Sequence, residues 1–154
     1  MAQESEKPGA LPVPIQKDSL SRMLGMRIDT VYNPILYATV VEWLGTRYRY
    51  GGRTKKGIDC SDFTSILYKN AYNIDLAGSA GDIFKKAVSI TKSELKEGDM
   101  VFFKIRRRRI SHVGVYLADN KFAHATTRAG VVISDLSEPY YKKYFFKGGN
   151  IANK

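Results

Sequence analysis

The first half of the chain carries apolar residues at helical spacing. Asn33 and Pro34 are typical of a helix start, with the asparagine as N-cap and the proline at the first helical position. Gly45 is placed to end that helix. Asp59 is placed to cap a second helix, and a shorter helix is predicted over residues 79–88. The apolar stripes consist of Ile35, Leu36, Val40, Trp43 and Leu44 in the first helix and of Phe63, Ile66 and Leu67 in the second.

The second half of the chain changes to the patterns of strands. A continuous apolar run and three alternating segments follow one another, and Asp119 and Asn120 form a turn between two of them. The predicted strands cover residues 100–103, 113–117, 121–125 and 131–134. Helices followed by a meander of strands indicate an α+β fold, with N-terminal helices packed on an antiparallel sheet.

Two segments have the composition of connections. Residues 46–58 hold three glycines and a threonine at turn positions and are predicted as a structured loop. Residues 1–18 are predicted as a flexible N-terminal tether, because three prolines and a glycine between positions 8 and 14 favour extended backbone. Residues 19–154 then form one catalytic domain, with folded structure beginning near Leu20 or later.

The charge of the chain is strongly positive. The formal net charge is +10, which attracts anionic surfaces such as nucleic acid, anionic lipid or acidic wall polymers. No zinc-finger spacing or aromatic RNA-binding signature accompanies it, so no nucleic-acid partner is expected. The densest basic run is Arg106–Arg109, which is interpreted either as a solvated loop or as an anion-binding segment.

Length and cysteine content narrow the range of sites. A chain of 154 residues suits a single hydrophobic core. Its one cysteine excludes an internal disulfide and a cysteine-based zinc site. The apolar runs are too short for a membrane-spanning helix, and the N-terminal residues lack the apolar core of a signal peptide. We expect any secretion signal or lipid anchor to lie outside this sequence.

Cys60 is the strongest candidate for chemistry. It follows the proposed cap Asp59, so its thiol lies at a helix N-terminus, where unpaired N–H groups and the helix dipole favour the thiolate. The same N–H groups could stabilise an oxyanion. The alternative is that Cys60 is a small buried apolar residue.

The two histidines, His112 and His124, lie in neighbouring predicted strands. A thiol and two imidazoles suffice for a nucleophile, its base and an orienting group, although buried structural histidines would look similar. A two-residue turn at 119–120 pairs Val115 with His124 and puts His112 on the opposite face of the sheet. A shared site therefore requires a longer loop or a bulge, for which Gly114 is a suitable position.

Four stretches together resemble the NlpC family of bacterial cell-wall cysteine peptidases, which have a papain-like core. They occur in the order typical of that family, and the resemblance covers roughly residues 35–146. Two further features, the Tyr-Arg-Tyr-Gly-Gly motif at 48–52 and Glu-Pro-Tyr at 138–140, look like those of a lipoprotein murein endopeptidase. The four stretches are residues 44–52, 57–61, 98–103 and 112–116 with 124–125.

The resemblance implies a role for each candidate residue. Cys60 is implied as the nucleophile, His112 as the general base and His124 as the polar third member. Tyr48 is implied to line the site and to assist substrate or oxyanion binding. The residues flanking the nucleophile, Asp59 and Ser61, are implied to contact the substrate. No metal or organic cofactor is implied.

The sequence departs from the family pattern in three places. Asp62 stands where glycine is common after Cys-Ser, which adds a negative charge near the thiol. Residues 76–79 read Leu-Ala-Gly-Ser and lack an arginine that is frequent there. The Arg106–Arg109 run replaces a more mixed turn. These changes bear on the substrate contacts rather than on the chemistry.

The functional prediction is a monomeric cysteine endopeptidase that hydrolyses stem peptides of peptidoglycan during cell-wall remodelling. The bond is either D-Glu to diaminopimelate or the D,D cross-link, and the location is the periplasm or the outer membrane, the latter through a removed lipid anchor. Acidic envelope polymers are further expected partners. The alternatives are a non-hydrolytic wall-binding module and an acyltransferase or amidase on the same fold.

Overall fold

The computed structural model describes residues 11–106 and 108–151. The helices in this part of the chain are α1 (Lys17–Leu24), α2 (Pro34–Trp43), α3 (Cys60–Tyr72), α4 (Ala80–Lys86) and α5 (Pro139–Tyr144). The strands are β1 (Arg53–Thr54), β2 (Gly57–Ile58), β3 (Val88–Ile90), β4 (Met100–Phe103), β5 (His112–Ala118), β6 (Lys121–Thr126), β7 (Gly130–Asp135) and β8 (Phe145–Asn150). No helix in the described ranges is long and apolar enough to cross a membrane.

The helix starts follow from their capping residues. The Asn33 side chain accepts hydrogen bonds from the backbone N–H groups of Ile35 and Leu36, each at 3.0 Å, and Pro34 occupies the first helical position. The Asp59 side chain accepts one from the N–H of Asp62 at 2.9 Å. Both caps satisfy N–H groups that have no partner inside the helix, which confirms the two predicted starts.

The sheet is antiparallel throughout. Its strand order is β3-β8-β4-β5-β6-β7, and the segment from β5 to β7 is the predicted meander. β1 and β2 form a separate two-stranded ribbon inside the predicted loop over residues 46–58. The α+β prediction is confirmed.

Besides the short ribbon of β1 and β2, four elements were not predicted from the pattern: α1, α5, β3 and β8. The β8 strand shows why, because it contains Gly148 and Gly149, which weaken a strand signal. A Cβ at Gly149 would lie 2.6 Å from the ring of Phe102, and one at Gly148 would lie 2.8 Å from the side chain of Leu95. Close packing of the sheet on its neighbours therefore requires both glycines.

The two faces of the sheet pack against different partners. The helices α1 to α4 and one face enclose the main core, which includes Tyr37, Phe63 and Phe102. The opposite face carries a smaller cluster centred on Phe103 and Phe122, against which the tyrosines of α5 pack. Alternation along β4 sends successive residues to the two clusters, as a strand requires.

The predicted tether over residues 1–18 lies largely outside the described residues or in irregular backbone at 11–16. The first helix begins at Lys17, two residues before the predicted domain boundary, and Leu20 is fully buried. Ile15 also packs against the main core. The expectation that folded structure begins near Leu20 therefore places the start slightly late.

The β5–β6 hairpin contains the bulge that the sequence required. Asp119 and Asn120 both have positive φ, 53° and 66°, as in a two-residue type I′ turn. Ala118 pairs with Lys121, but the next pair is Tyr116 with Phe122, so Leu117 is the extra residue. The bulge is at Leu117 and not at Gly114, the position favoured from the sequence.

Gly114 has a different role. Because Val115 pairs with Ala123, Gly114 lies opposite His124. A Cβ at Gly114 would lie 2.9 Å from the carbonyl oxygen of Ala123 and 3.0 Å from the Cβ of His124. The missing side chain therefore lets β5 approach β6 closely at the position of His124.

Replacing Gly114 with alanine should lower the free energy of unfolding by about 1–3 kcal/mol, because a methyl group is forced against backbone and against His124. Gly81→Ala is the matched control. Gly81 lies inside α4, where a Cβ would make only an ordinary contact at 3.8 Å. That substitution should raise stability by about 0.5–1 kcal/mol. Urea unfolding of both variants checks the pair, and equal effects would contradict the steric account.

Candidate active site

Cys60 is the first residue of α3 and lies directly after the capping Asp59. Its side chain is largely buried, and this burial raises the pKa of the thiol to about 11. The backbone N–H groups of Val113, Ser61 and Cys60 itself act in the opposite direction by donating toward the sulfur. The expected thiolate-favouring effect of the helix terminus is therefore present, but burial outweighs it.

Asp59 holds the turn before the nucleophile in place. Its Oδ1 accepts hydrogen bonds from the N–H of Asp62 and, at 3.2 Å, from the hydroxyl of Ser61. Its Oδ2 accepts one from the N–H of Gly51 at 2.9 Å. One carboxylate thus fixes both the helix start and the glycine loop, so Asp59 and Ser61 have a structural function beside any contact with substrate.

Asp62, the residue that departs from the family pattern, lies in the first turn of α3, three residues after the cap Asp59. Burial raises the pKa of its carboxyl, and the neighbouring negative charge of Asp59 raises it further. Arg53 offsets part of this effect, with its Nε 3.5 Å from an Asp62 oxygen. The ion pair with Arg53 therefore offsets part of the negative charge that Asp62 adds near Cys60.

His112 and His124 are hydrogen-bonded to each other. His112 Nε2 lies 2.7 Å from His124 Nδ1, and the ring planes meet at 68°. His112 is the first residue of β5 and faces a groove, whereas His124 is fully buried behind it. The bulge at Leu117 makes this contact possible, because it moves both side chains to one face.

The hydrogen bonding continues beyond His124. Its Nε2 lies 2.8 Å from the hydroxyl oxygen of Ser134, which also bonds to the hydroxyl of Tyr141. The ring of Tyr141 packs edge-on against His124, and the ring of Phe122 packs against both of them. The sequence analysis missed Ser134 and Tyr141. An in-register hairpin of the two predicted strands would have placed Ser134 on the same face as His124.

The protons in the hydrogen bonds that join His112, His124 and Ser134 can be placed in two ways. If His112 Nε2–H donates to His124 Nδ1, then His124 Nε2–H donates to Ser134, and His112 Nδ1 keeps a lone pair. The reverse arrangement puts a proton on His112 Nδ1. Only the first arrangement leaves His112 able to accept a proton from a thiol.

Burial also determines the charge of the histidines. It lowers the pKa of His112 from the usual 6.5 to about 4. It lowers the pKa of His124 as well, with a further contribution from the charge of His112. At neutral pH the free protein therefore holds a neutral thiol and neutral imidazoles.

Tyr48 lies beside the nucleophile. It forms an isolated parallel bridge with Ile58, two residues before Cys60. Burial raises the pKa of its hydroxyl, and electrostatic interactions with Cys60 and Asp59 raise it further. Sequence spacing alone would have left Tyr48 an ordinary loop aromatic residue.

A single groove joins the candidate residues. Its volume is about 1350 Å³, and five of the six predicted site residues line it, with His124 behind His112. The five are Tyr48, Asp59, Cys60, Ser61 and His112. Within the described residues, no group of three or more histidine, cysteine or acidic side chains is placed to hold a metal ion.

The sequence matches a known family and several named proteins. The NlpC/P60 family pattern matches residues 45–150. A probable endopeptidase NlpC homolog of Haemophilus influenzae is 46% identical over 138 residues, which are 89% of this chain and 69% of the relative. The murein DD-endopeptidase MepS/murein LD-carboxypeptidase of Escherichia coli K12 is 38% identical over 113 residues, which are 73% of this chain and 60% of the relative.

Solved structures share the fold. An NlpC/P60 family protein from Bacillus cereus superposes with a TM-score of 0.71 at 28% identity, over 80% of this chain and 41% of that one. RipD of Mycobacterium tuberculosis, described as a non-catalytic NlpC/p60 domain protein, has a TM-score of 0.64 at 15% identity, over 80% of this chain and 99% of that one. The second comparison concerns the fold alone.

Acidification should reveal the buried neutral His112 as a loss of stability. Its folded pKa of about 4 lies below the unfolded value of 6.5, so the unfolded chain takes up the proton first. Its contribution is complete above pH 6.5 and is lost as pH falls toward 4. Between pH 7 and pH 5, we expect this residue to lower the free energy of unfolding by about 2 kcal/mol.

His112→Gln is the control for that measurement, because it removes the titrating ring and leaves every carboxyl group in place. Urea unfolding at both pH values should show a smaller loss for the variant than for the wild-type protein. Equal losses would mean that His112 is not held neutral in the folded protein.

Proposed function

The chain belongs to the NlpC/P60 family, and on that premise we propose that it is a cysteine endopeptidase that hydrolyses stem peptides of bacterial peptidoglycan. The observation that carries the proposal is the shared groove of Cys60 and His112, with His112 hydrogen-bonded from behind by His124. Nucleophile, base and orienting group are the parts that covalent acyl transfer needs.

The reaction begins from neutral partners. His112 Nδ1 takes the proton of the Cys60 thiol as the sulfur forms a bond to the scissile carbonyl carbon. The carbonyl π electrons move to oxygen, and N–H groups at the start of α3, together with the Tyr48 hydroxyl, stabilise the oxyanion. The imidazolium then gives its proton to the leaving amine. Water, deprotonated by His112, hydrolyses the thioester and restores the thiol.

His124 and Ser134 keep His112 in the productive tautomer. The Ser134 hydroxyl oxygen accepts a hydrogen bond from His124 Nε2–H, so His124 Nδ1 is the acceptor for His112 Nε2–H. The imidazolium that forms on His112 during attack is stabilised by the same hydrogen bond. His124 therefore acts through His112 and touches no substrate atom.

The bond that is cut is proposed from the relatives. Two E. coli K12 proteins similar to this chain, MepS and MepH, are named murein DD-endopeptidases. For this chain, these names favour the D,D cross-link over the bond between D-Glu and diaminopimelate as the bond that is cut. The match to this chain covers 60% of the length of MepS and 41% of that of MepH.

The proposed place of action is the bacterial cell envelope, where peptidoglycan lies. The net charge of +10 would hold the protein near acidic envelope polymers. We propose that a lipid anchor, if the full-length protein carries one, is attached outside this sequence, in keeping with a periplasmic or outer-membrane location.

A non-hydrolytic wall-binding module is the second candidate. RipD, described as non-catalytic, has the same fold, so the fold alone does not distinguish the two candidates. The complete and hydrogen-bonded set of Cys60, His112 and His124 favours hydrolysis instead. An amidase or acyltransferase would use the same residues on another acyl group. Identification of the reaction products distinguishes it from an endopeptidase.

Cys60→Ala should abolish hydrolysis of cross-linked muropeptides, with a loss of about 10⁴-fold or more, because no other side chain in the groove replaces the thiol. Mass spectrometry of the digest should show monomeric stem peptides with the wild-type protein and intact dimers with the variant. Circular dichroism establishes that the variant is folded. Turnover near the wild-type rate by folded Cys60→Ala would end the cysteine-peptidase proposal.

Substitutions behind the base should follow hydrogen-bonding capacity. His124→Asn and His124→Gln should keep a measurable part of kcat, whereas His124→Ala should lose more. Ser134→Ala should lower kcat about tenfold, because a buried N–H of His124 loses its acceptor, and Ser134→Thr should restore most of it. If His124→Ala matches wild type while His112→Ala is inactive, His124 does not orient the base.

A further inference from the structure

Two loops bring arginines to one end of the groove. The β4–β5 loop leaves the sheet at Phe103 and returns at His112, and these two residues are paired. The β6–β7 turn begins and ends at the same edge, after Thr126 and before Gly130. The register of β5 with β6 puts both connections at the edge where His112 lies. The arginines lining the groove from these loops are Arg106, Arg109 and Arg128.

These three guanidinium groups have no ion pair among the residues that the structure describes. Arg53, which also lines the groove, differs because it pairs with Asp62. Glu138 also lines the groove, but its carboxylate does not pair with these arginines. It accepts a hydrogen bond from the backbone N–H of Asp135. Three unneutralised positive charges therefore face the same space as the thiol.

The position of Arg106 is fixed beside the reacting groups. The hydroxyl oxygen of Ser111, next to His112, accepts hydrogen bonds from the backbone N–H groups of Ile105 at 3.0 Å and Arg106 at 3.2 Å. While burial and nearby negative charges raise the pKa of Tyr48, Arg106 opposes them. Its charge is thus felt at the Tyr48 hydroxyl.

We propose that Arg106, Arg109 and Arg128 form a carboxylate-binding subsite that selects stem peptides with free carboxylates over amidated ones. This inference rests on the proposed function and adds the charge of the substrate to it. A guanidinium group matches a carboxylate through two parallel N–H donors, whereas a neutral amide offers one acceptor and no charge.

Stem peptides supply the matching groups. D-Glu is linked through one of its two carboxyl groups, and diaminopimelate has a carboxyl group outside the peptide backbone. Each remains anionic at neutral pH unless it is amidated. Because several carboxylates lie close to the scissile bond, a groove with three free arginines at one end can bind one while the thiol attacks the next residue.

The test measures binding separately from hydrolysis. Cys60→Ala protein is titrated by calorimetry with a cross-linked stem-peptide dimer, in its free-carboxylate form and with D-Glu and diaminopimelate amidated. We expect the free form to bind about tenfold tighter or more, since a hydrogen bond to a charged group contributes about 1.5–3 kcal/mol. Adding Arg106→Gln, Arg109→Gln and Arg128→Gln should remove the preference.

The matched control replaces Arg22, Arg27 and Lys85 with glutamine, which removes the same charge from exposed positions outside the groove. It should keep the preference. Equal binding of the two dimers, binding of neither, or an equal loss in the control would overturn the subsite. Turnover by the wild-type protein is measured on the same dimers. A preference in binding without any turnover would refute the proposed hydrolysis and leave the subsite standing.

Discussion

The hydrogen bond between His112 and His124 depends on one inserted residue in a hairpin. With a regular ladder behind the Asp119-Asn120 turn, the two rings would lie on opposite faces of the sheet. Leu117 shifts the register by one and brings them together at 2.7 Å. Gly114 leaves room for the backbone of β6 and for the Cβ of His124 opposite it. A local change in strand pairing thus creates the contact between the two imidazole rings.

Burial determines how this arrangement can react. The aromatic cluster around Phe103 and Phe122 excludes water from His124, and the same burial keeps His112 neutral. The thiol is neutral for the same reason, although three N–H groups point at it. A neutral pair avoids the cost of holding two charges in a largely buried site before substrate arrives. Proton transfer then accompanies attack, when the oxyanion donors have a charge to stabilise.

Local charge in the groove differs from the charge of the whole molecule. The net charge of +10 acts over the entire surface and is screened by salt. At the groove, Arg53 is paired with Asp62, whereas Arg106, Arg109 and Arg128 have no acidic partner among the described residues. The net charge of the whole surface therefore acts at long range, whereas the three arginines of the groove are placed to bind single carboxylates.

The sequence by itself determined the features that depend on neighbouring residues. Asn33 and Asp59 cap their helices through their own side chains, so both starts, and with them the position of Cys60, could be read from neighbouring residues. It also showed that a shared histidine site needs a bulge. Only the tertiary structure placed the bulge at Leu117, because strand register is decided by packing on both faces. Only it brought Ser134 and Tyr141 to His124, since hydrogen bonds between strands join residues that are distant in the chain. Burial of the thiol is likewise a property of the packed fold. It raises the pKa of Cys60, whereas the N–H groups at the helix terminus lower it.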